Sequence, residues 1–345
     1  MKEKSTSVHP PTLRDVAEAA GVHAGTASRA LNPETRRLVN SDTARRVLRA
    51  AEALGYQPNP IARSLKTAKS RTVGLVIPDL TNPLFPPIVR GIEDVLSPAG
   101  YSALIVNTDN DPERERAQVN SLRSRQVEGL IVATARLDHQ LLRQLHEQGL
   151  KMVLVNRRTL GVDIPFITPD DAAGVELAVR HLADLGHKRI AHLAGPQSTS
   201  TGTIRLQAYE TAIHTLGLEE DPALIVPCDY WNEEEGARAL RELLDSGTAF
   251  TAVVAGNDLI ALGCYDVFNE RSLSCPTQIS VVGFNDMPFL DKLKPPLTSV
   301  GVPHHQIGVE AARMLLESIS EPDRPARSVL LPLNLVVRGS TAPPS

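Results

Sequence analysis

At 345 residues the chain is long enough for two or three domains, and its 42% apolar content supports a packed core, while 3% aromatic content argues against a carbohydrate-stacking surface module. No apolar run approaches the ~20 residues that a membrane span needs. The net charge of −4 is unevenly spread, with 12 Lys/Arg against 6 Asp/Glu in the first 70 residues and 24 against 34 in the remainder. A small basic head on an acidic body predicts that the head meets a polyanion.

The opening MKEKSTSVHPP is charged and no apolar stretch follows it, so a cytoplasmic protein without a signal peptide is expected. Cys228, Cys264 and Cys275 lack metal-ligand spacing and read as reduced thiols. In TLRDVAEAAGVHAGTASRALN, Thr12 and Asp15 form a variant of the capping box, predicting a helix from Leu13. Leu13, Val16, Ala17 and Ala20 recur at helical spacing, Gly21 supplies a turn, and a second helix is expected from Ala24 to Leu31. SDTARRVLRAAEALG predicts a third helix, capped at Asn40 or Ser41 and stopped at Gly55. Leu13, Val16, Val22, Ala27, Leu31, Val47 and Leu54 are the expected core of a small helix-turn-helix domain, whose second helix would enter a major groove. On spacing alone, a three-helix protein-docking module is the alternative.

From Arg71 onward short β-rich runs alternate with amphipathic helical patterns: TVGLVIP, YSALIVN, GLIVAT and KMVLVN, then RIAHLAG, ALIVP, FTAVVAG and QISVVGF. Such alternation predicts α/β lobes with parallel sheets covered on both faces and a cleft outside the strand carboxyl ends. The lobes are expected to divide near Ile167, with HHQIGVEAARMLLESI returning to the first and SVLLPLNLVVRGS closing the second. Asp170 and Asp171 read as helix-capping residues, His187 as structural, and His304 and His305 as a cap for the following helix. G-x-G-x-x-G, Walker, G-x-S-x-G and H-E-x-x-H patterns are absent from the sequence, so an enzyme is not expected. No metal and no cofactor is expected either.

The segment TLRDVAEAAGV, TASRALN, VNSDTARRVLRAAEALGYQPNPIARSL, followed by RTVGLVIPDLTNPLF, LGHKRIAHLAGP, ISVVGFNDM and PPLTSV, resembles the lactose repressor/galactose repressor (LacI-type) family of transcriptional regulators across residues 11 to 339. The resemblance implies an all-α helix-turn-helix head (1–57), a hinge (58–70) and a two-lobed α/β body like that of periplasmic binding proteins (71–345). Lobe 1 would take about 71–167 and 300–325, and lobe 2 about 168–299 and 326–340. It implies a homodimer on double-stranded operator DNA, controlled by a sugar, sugar phosphate or nucleoside, or by a protein corepressor. A sugar-binding protein with a decorative head is a third reading. The polar, proline-containing end VVRGSTAPPS favours a dimer over the family's tetramers.

Residues carried over from the family are expectations at numbered positions. The specificity pair falls on Ala24 and Gly25, which offer no side-chain hydrogen bond to a base edge. His23 replaces the usual serine cap and is expected to cap less well. Readout is therefore expected to shift to His23, Thr26, Arg29, Arg37 and the hinge, with Thr26 and Ser28 as phosphate contacts and Thr12 also on the DNA side. In the hinge, Leu65 would wedge between base pairs, Ala62 is small enough for groove depth, and Arg63 and Lys66 would meet phosphates or base edges. In the cleft the expected effector contacts are Asp79, Leu84 and Phe85 after the first strand, Asn107 and Asp109 after the second, and Asn156 and Asn285 where the family often has Asp. Arg205 would act as clamp, Trp231 as aromatic platform and Asn257 as hydrogen-bonding partner. The plainer alternatives are loop caps for Asp79 and Asn285, core for Phe85 and a spacer role for Trp231.

Overall fold

The computed structural model describes residues 11–32, 35–57, 69–321, 325 and 327–345. The chain divides into two compact units between Ser70 and Arg71.

In the N-terminal unit, α1 (Leu13–Ala19) starts at a reciprocal capping box: the Asp15 carboxylate accepts the Thr12 N–H at 2.7 Å, and the Thr12 hydroxyl accepts the Asp15 N–H at 3.4 Å. Helix α2 (Ala24–Leu31) follows the turn, and α3 (Ser41–Leu54) is capped by Asn40, whose Oδ1 accepts the Asp42 N–H at 2.9 Å. Val16, Ala17, Ala20, Ala27, Ala30, Ala44, Val47 and Ala51 form the core, with Leu13, Val22, Leu31 and Tyr56 packed around it. Leu54, expected inside, is 40% exposed. The buried stripe of α3 ends at Ala51, and the next core position is filled by Tyr56, which the chain brings back with an N–H to the Ala51 carbonyl at 2.8 Å.

The larger unit contains two six-stranded sheets. The first contains β1 (Thr72–Ile77), β2 (Ser102–Asn107), β3 (Gly129–Val132), β4 (Met152–Val155), β5 (Phe166–Pro169) and β11 (Val329–Leu331), in the order β11-β5-β4-β3-β1-β2 and parallel throughout. The second contains β6 (Ile190–Ala194), β7 (Ile225–Pro227), β8 (Ala252–Ala255), β9 (Ser280–Asn285), β10 (Thr298–Gly301) and β12 (Asn334–Val336), in the order β12-β10-β9-β8-β6-β7, with only β12 antiparallel. Two details correct the expected lobe boundaries. Strand β5 pairs with β4, so the first lobe runs through Pro169, and β11 pairs with β5, so 329–331 belongs to the first lobe while only β12 closes the second.

Helices connect the strands and cover the sheets: α4 (Phe85–Leu96), α5 (Pro112–Ser124) and α6 (Gln140–Glu147) in the first lobe, and α7 (Asp171–Asp184), α8 (Ser200–Thr215), α9 (Glu233–Asp245) and α10 (Asp258–Arg271) in the second. Helix α11 (His304–Ser320) leaves the second sheet and packs along α4, β3, β4 and β5 of the first lobe. One apolar cluster runs through both lobes, joining Ile88, Ile92 and Ile307 to Val179, Ile190, Phe284 and Val300. His304 and His305 do not cap α11, whose N-cap Pro303 offers no side-chain bond; His304 is buried in its first turn and His305 Nε2 pairs with Asp94 at 3.0 Å.

The α4–α11 contact is set by glycine. A Cβ on Gly308 would stand 2.0 Å from the Ile88 carbonyl oxygen, and one on Gly91 would stand 2.1 Å from that of His305. Both obstacles are helix backbone, which yields less readily than a side chain. Gly308→Ala gains about 1 kcal/mol of helix propensity, yet forcing the helices apart costs about 1–3 kcal/mol or more. The expected net result is a lower urea midpoint for the full chain; a midpoint at or above that of the unsubstituted protein contradicts the close-packing account.

Candidate DNA-reading helix and interlobe cleft

On α2 the N-cap residue is His23. Its Nδ1 accepts the Gly25 N–H at 3.1 Å, so histidine takes the place of the expected serine as the cap of this helix. A capping Nδ1 leaves the neutral ring's proton on Nε2, an exposed donor at the start of the helix. Ala24 packs against the core, which fixes how deeply the helix sits in its own domain. Gly25, Thr26 and Ser28 are half-buried, whereas Thr12, Arg29 and Arg37 are exposed. The hinge positions Ala62, Arg63, Leu65 and Lys66 lie outside the described residues.

The carboxyl ends of β1, β3 and β4 in the first lobe face those of β6, β8 and β9 in the second across a cavity of about 270 Å³, with a deeper recess of about 30 Å³. Asp79, Phe85 and Trp231 line the larger part; Leu84, Phe85, Asn156, Arg205, Trp231, Asn257 and Asn285 line the recess. Asn107 and Asp109 do not reach either part, and this corrects their expected place in the lining. Instead Asn107 Oδ1 accepts the Leu80 N–H at 3.0 Å, its amide donates to Asp109, and Asp109 pairs with Arg114. Those bonds tie the loops after β1 and β2 together. Asp79, though in the lining, has its Oδ1 occupied by Thr81, whose N–H lies at 2.8 Å and whose hydroxyl lies at 2.7 Å.

Arg205 is the best-held group in the cleft. It is 3% exposed; Nε donates to Asp171 Oδ1 at 2.7 Å, Nη1 donates to the Gly256 carbonyl at 2.7 Å, and the guanidinium lies 3.6 Å from the Phe284 ring centroid. Asp171, expected as a cap, is this ion-pair partner; burial raises its pKa and Arg205 opposes the rise, while Asp170 alone caps α7. Trp231 stands 5.5 Å from Arg205 and lies so close to Gly195 that a Cβ there would come within 2.0 Å of the indole. Asn257 caps α10 with its Oδ1 on the Ile260 N–H at 2.8 Å, which leaves its amide group as the free end.

The sequence reading missed a second polar group in the first lobe. Glu115 on α5 is 2% exposed and accepts from the Thr134 hydroxyl; His139 Nε2 lies at 3.1 Å and Arg136 at 3.7 Å. The Arg136 N–H points to His139 Nδ1 at 3.4 Å, and Arg136 Nη2 lies 3.3 Å from His139 Nε2. Arg157 follows β4, is 7% exposed and lines both parts of the cavity. A glutamate in the first turn of a polar helix, an NRR tripeptide and a histidine in a loop give no periodic signal, and only the fold brings them together. Thr108 Oγ1, Asn156 Oδ1, Arg157 Nε, Trp231 Nε1 and Asn285 Oδ1 are buried here without a hydrogen-bond partner among the described residues. A polar recess supplied by both lobes fits a hydroxyl-rich small molecule.

The helix-turn-helix unit and the two-lobed body together define a DNA-binding regulator with a ligand-binding body. The model of "Bacterial regulatory proteins, lacI family" matches residues 12–59, and that of "Periplasmic binding proteins and sugar binding domain of LacI family" matches residues 70–338. The chain therefore belongs to the LacI family of transcriptional regulators. It is 33% identical over 331 residues to the HTH-type transcriptional regulator RegA of Clostridium saccharobutylicum, covering 96% of this chain and 99% of that one. It is also 33% identical to the transcriptional repressor CytR of Escherichia coli K12, covering 96% of each chain. The lac repressor dimer bound to operator and the anti-inducer ONPF superposes with a TM-score of 0.86 at 27% identity, covering 97% of this chain and 100% of that chain.

Buried histidines around the cleft give the body a pH dependence. His192 Nδ1 donates to the Val254 carbonyl at 2.8 Å, and Nε2 of both His192 and His304 lacks a partner. Burial first, and Arg205 as a further cause, push both imidazoles down to about 4. The unfolded chain takes up these two protons below 6.5 and the folded chain does not, so stability is lost as pH falls through that window, by about 1.4 kcal/mol per pH unit for each group. Asp258, raised by burial to about 6, works in the opposite direction between 6 and 3.8. His181 and His187, also lowered by burial, add to the loss, and Asp171, raised by burial, opposes it as Asp258 does, so four histidines against two carboxylates leave a net loss on acidification. Urea midpoints of the full chain should fall between about pH 7 and about pH 5, and His304→Gln should make that fall smaller; an unaltered fall contradicts the assignment.

Proposed function

We propose that the chain is a repressor that binds a palindromic operator as a homodimer and is released from it, or held on it, by a small hydroxyl-bearing effector between the lobes. The observation that carries this reading is the interlobe recess, lined from both lobes by Asn156, Arg157, Trp231 and Asn285, each with a buried polar atom that has no hydrogen-bond partner among the described residues, in a chain that also carries a helix-turn-helix unit. The lac repressor relative is a dimer on its operator with a small anti-inducer present, which supports the same division of labour. The effector contacts are Arg205, Trp231, Asn257, Asn285 and Asn156 with Phe85 and Leu84 as apolar walls; Asp79 stands at the rim. The head reads DNA through His23, Thr26, Arg29 and Arg37, with Thr12 and Ser28 on phosphates and Ala24 and Gly25 allowing close approach.

An effector that touches both lobes favours one lobe angle, and it shifts operator affinity only by its differential affinity for the two angles. The hinge is the proposed relay. Leu65 wedges the duplex open, with Ala62 deep in the groove and Arg63 and Lys66 on the backbone, and the cost of unstacking is recovered through added contact with bent DNA. The reading is of a cytoplasmic protein without catalysis, since its partners are DNA and a ligand that it leaves unchanged.

Leu65→Ala tests the relay. Operator bending should shrink and affinity should fall about tenfold, corresponding to about 1.4 kcal/mol, while ligand-induced change in Trp231 fluorescence stays as before. Fluorescence anisotropy on an operator selected from random DNA by the full chain measures the first, and unchanged affinity contradicts the hinge account.

A further inference from the structure

Three residues that each stand immediately before a strand of the first sheet meet where the body begins. Arg71 precedes β1, Tyr101 precedes β2 and Glu128 precedes β3. Because β1 lies between β3 and β2, with Thr72 opposite Ser102 and Val73 opposite Gly129, the register sets the three side by side. Glu128 spans the group. Its Oε1 accepts the Arg71 N–H at 2.5 Å, its Oε2 accepts the Tyr101 hydroxyl at 3.0 Å, and its own N–H donates to the Thr72 carbonyl at 2.8 Å. All three residues are half-buried, and a bond to a carboxylate is stronger than one to a neutral acceptor.

Arg71 needs such holding. Its φ of 50° lies in the left-handed region, which a side chain of this size occupies only where its surroundings over-determine it. The Arg71 carbonyl accepts the Ser102 N–H at 2.9 Å, and a Cβ on Gly100 would come within 3.0 Å of the guanidinium Nη1. A single left-handed residue turns the chain away from the strand axis. The body unit starts at this residue, so the direction in which the chain arrives from the hinge is fixed by the neighbours of β1.

The same three strands end at the interlobe cavity. Pro78 and Asp79 line it after β1, Thr108 and Asn110 after β2, and Thr134 and Arg136 after β3. Strand β1 has six residues and spans ~20 Å. Hydrogen-bonded strands move as one piece, so a rotation of the first lobe reaches Arg71 undiminished.

We infer that Glu128 is a positioning residue for operator binding: by holding Arg71 it presets the direction in which the hinge leaves the body, so that a change of lobe angle is passed on to the hinge instead of being absorbed at the junction. The inference rests on the operator and hinge reading given above, and it assigns Glu128 no contact with DNA or effector. A preset direction lowers the ordering cost when the hinge meets its specific site, whereas contacts made by the head alone are left as they are.

The test measures, for the full chain at fixed salt, the ratio of its affinity for the selected operator to that for a scrambled duplex by fluorescence anisotropy, together with the Trp231 emission at saturating operator. The ratio cancels the loss of one negative charge, which acts on both duplexes alike. Glu128→Ala should lower the ratio about tenfold, within the range of ordinary coupling between sites, and should diminish the emission change that operator binding brings. Glu128→Gln keeps an oxygen for the Arg71 N–H and should retain most of the ratio. Tyr101→Phe frees only the second carboxylate oxygen and should lower the ratio by less than the alanine variant. If Glu128→Ala does not fold, Tyr101→Phe decides, and an unchanged ratio then overturns the inference. It is also overturned if Glu128→Ala keeps the ratio of the unsubstituted chain, if glutamine and alanine lower it equally, or if the emission change with operator is as large in Glu128→Ala as in the unsubstituted chain. Those outcomes leave operator control standing. An unsubstituted chain that binds operator no more tightly than the scrambled duplex would instead overturn operator control, and this inference with it.

Discussion

Arg205 and Asp171 together set the geometry of the body. Asp171 is the first residue of α7, reached directly from β5 of the first lobe, and Arg205 projects from α8 in the second lobe to meet it. Neither charge sees water, so each is tolerable only because the other is present, and removing one partner of such a pair is far more damaging than replacing both. The second bond of Arg205, to the Gly256 carbonyl, fixes the turn after β8 where Asn257 begins α10. Phe284 underneath and Trp231 alongside complete a rigid corner. The remaining guanidinium face of Arg205 is then available at a fixed place to whatever enters the recess.

The lobes share an apolar cluster through the segments that cross between them, so they can rotate about that common core without separating. Buried polar atoms without a partner on both sides of the recess give such a rotation a reason to depend on a ligand: in the proposed mechanism a change of lobe angle around a suitable molecule gives Asn156, Arg157, Trp231 and Asn285 partners that they lack without it. In the proposed mechanism this difference is what reaches the DNA-binding unit. The head itself has a small core built mostly of alanines, which brings its helices close and leaves the polar face of α2 to the DNA.

Much of this architecture was legible in the sequence, for identifiable reasons. Strands such as TVGLVI and SVVGFN are buried on both faces and so read as continuous apolar runs, and the helices of the head are announced by caps at Thr12 and Asn40. The fate of β11 was not legible, because three residues of VLL can extend either sheet and only the crossing before β12 decides which. Within the cleft, Asn257 caps α10 and Trp231 lies just before α9, where pattern and position coincide, while Arg205, inside α8, is placed by the resemblance. Asn107 and Asp109 lie at the end of β2 too, but in that loop it is Thr108 and Asn110 that line the cavity, while Asn107 and Asp109 turn to Leu80 and Arg114. Glu115, His139 and Arg157 were overlooked because their meeting depends on three separate connections, none carrying a local signal.

Trp231 is the sole tryptophan of the chain and its indole lines the cleft, so its emission reports that site alone. If cleft and DNA-binding unit are coupled, linkage requires each to sense the other. The decisive measurement is therefore Trp231 fluorescence of the full chain titrated with its selected operator, in the absence of any effector, against a scrambled duplex. A saturable change with operator and none with the scrambled sequence is the predicted result. Saturated operator binding with an unmoved emission spectrum would contradict the coupling on which the account stands.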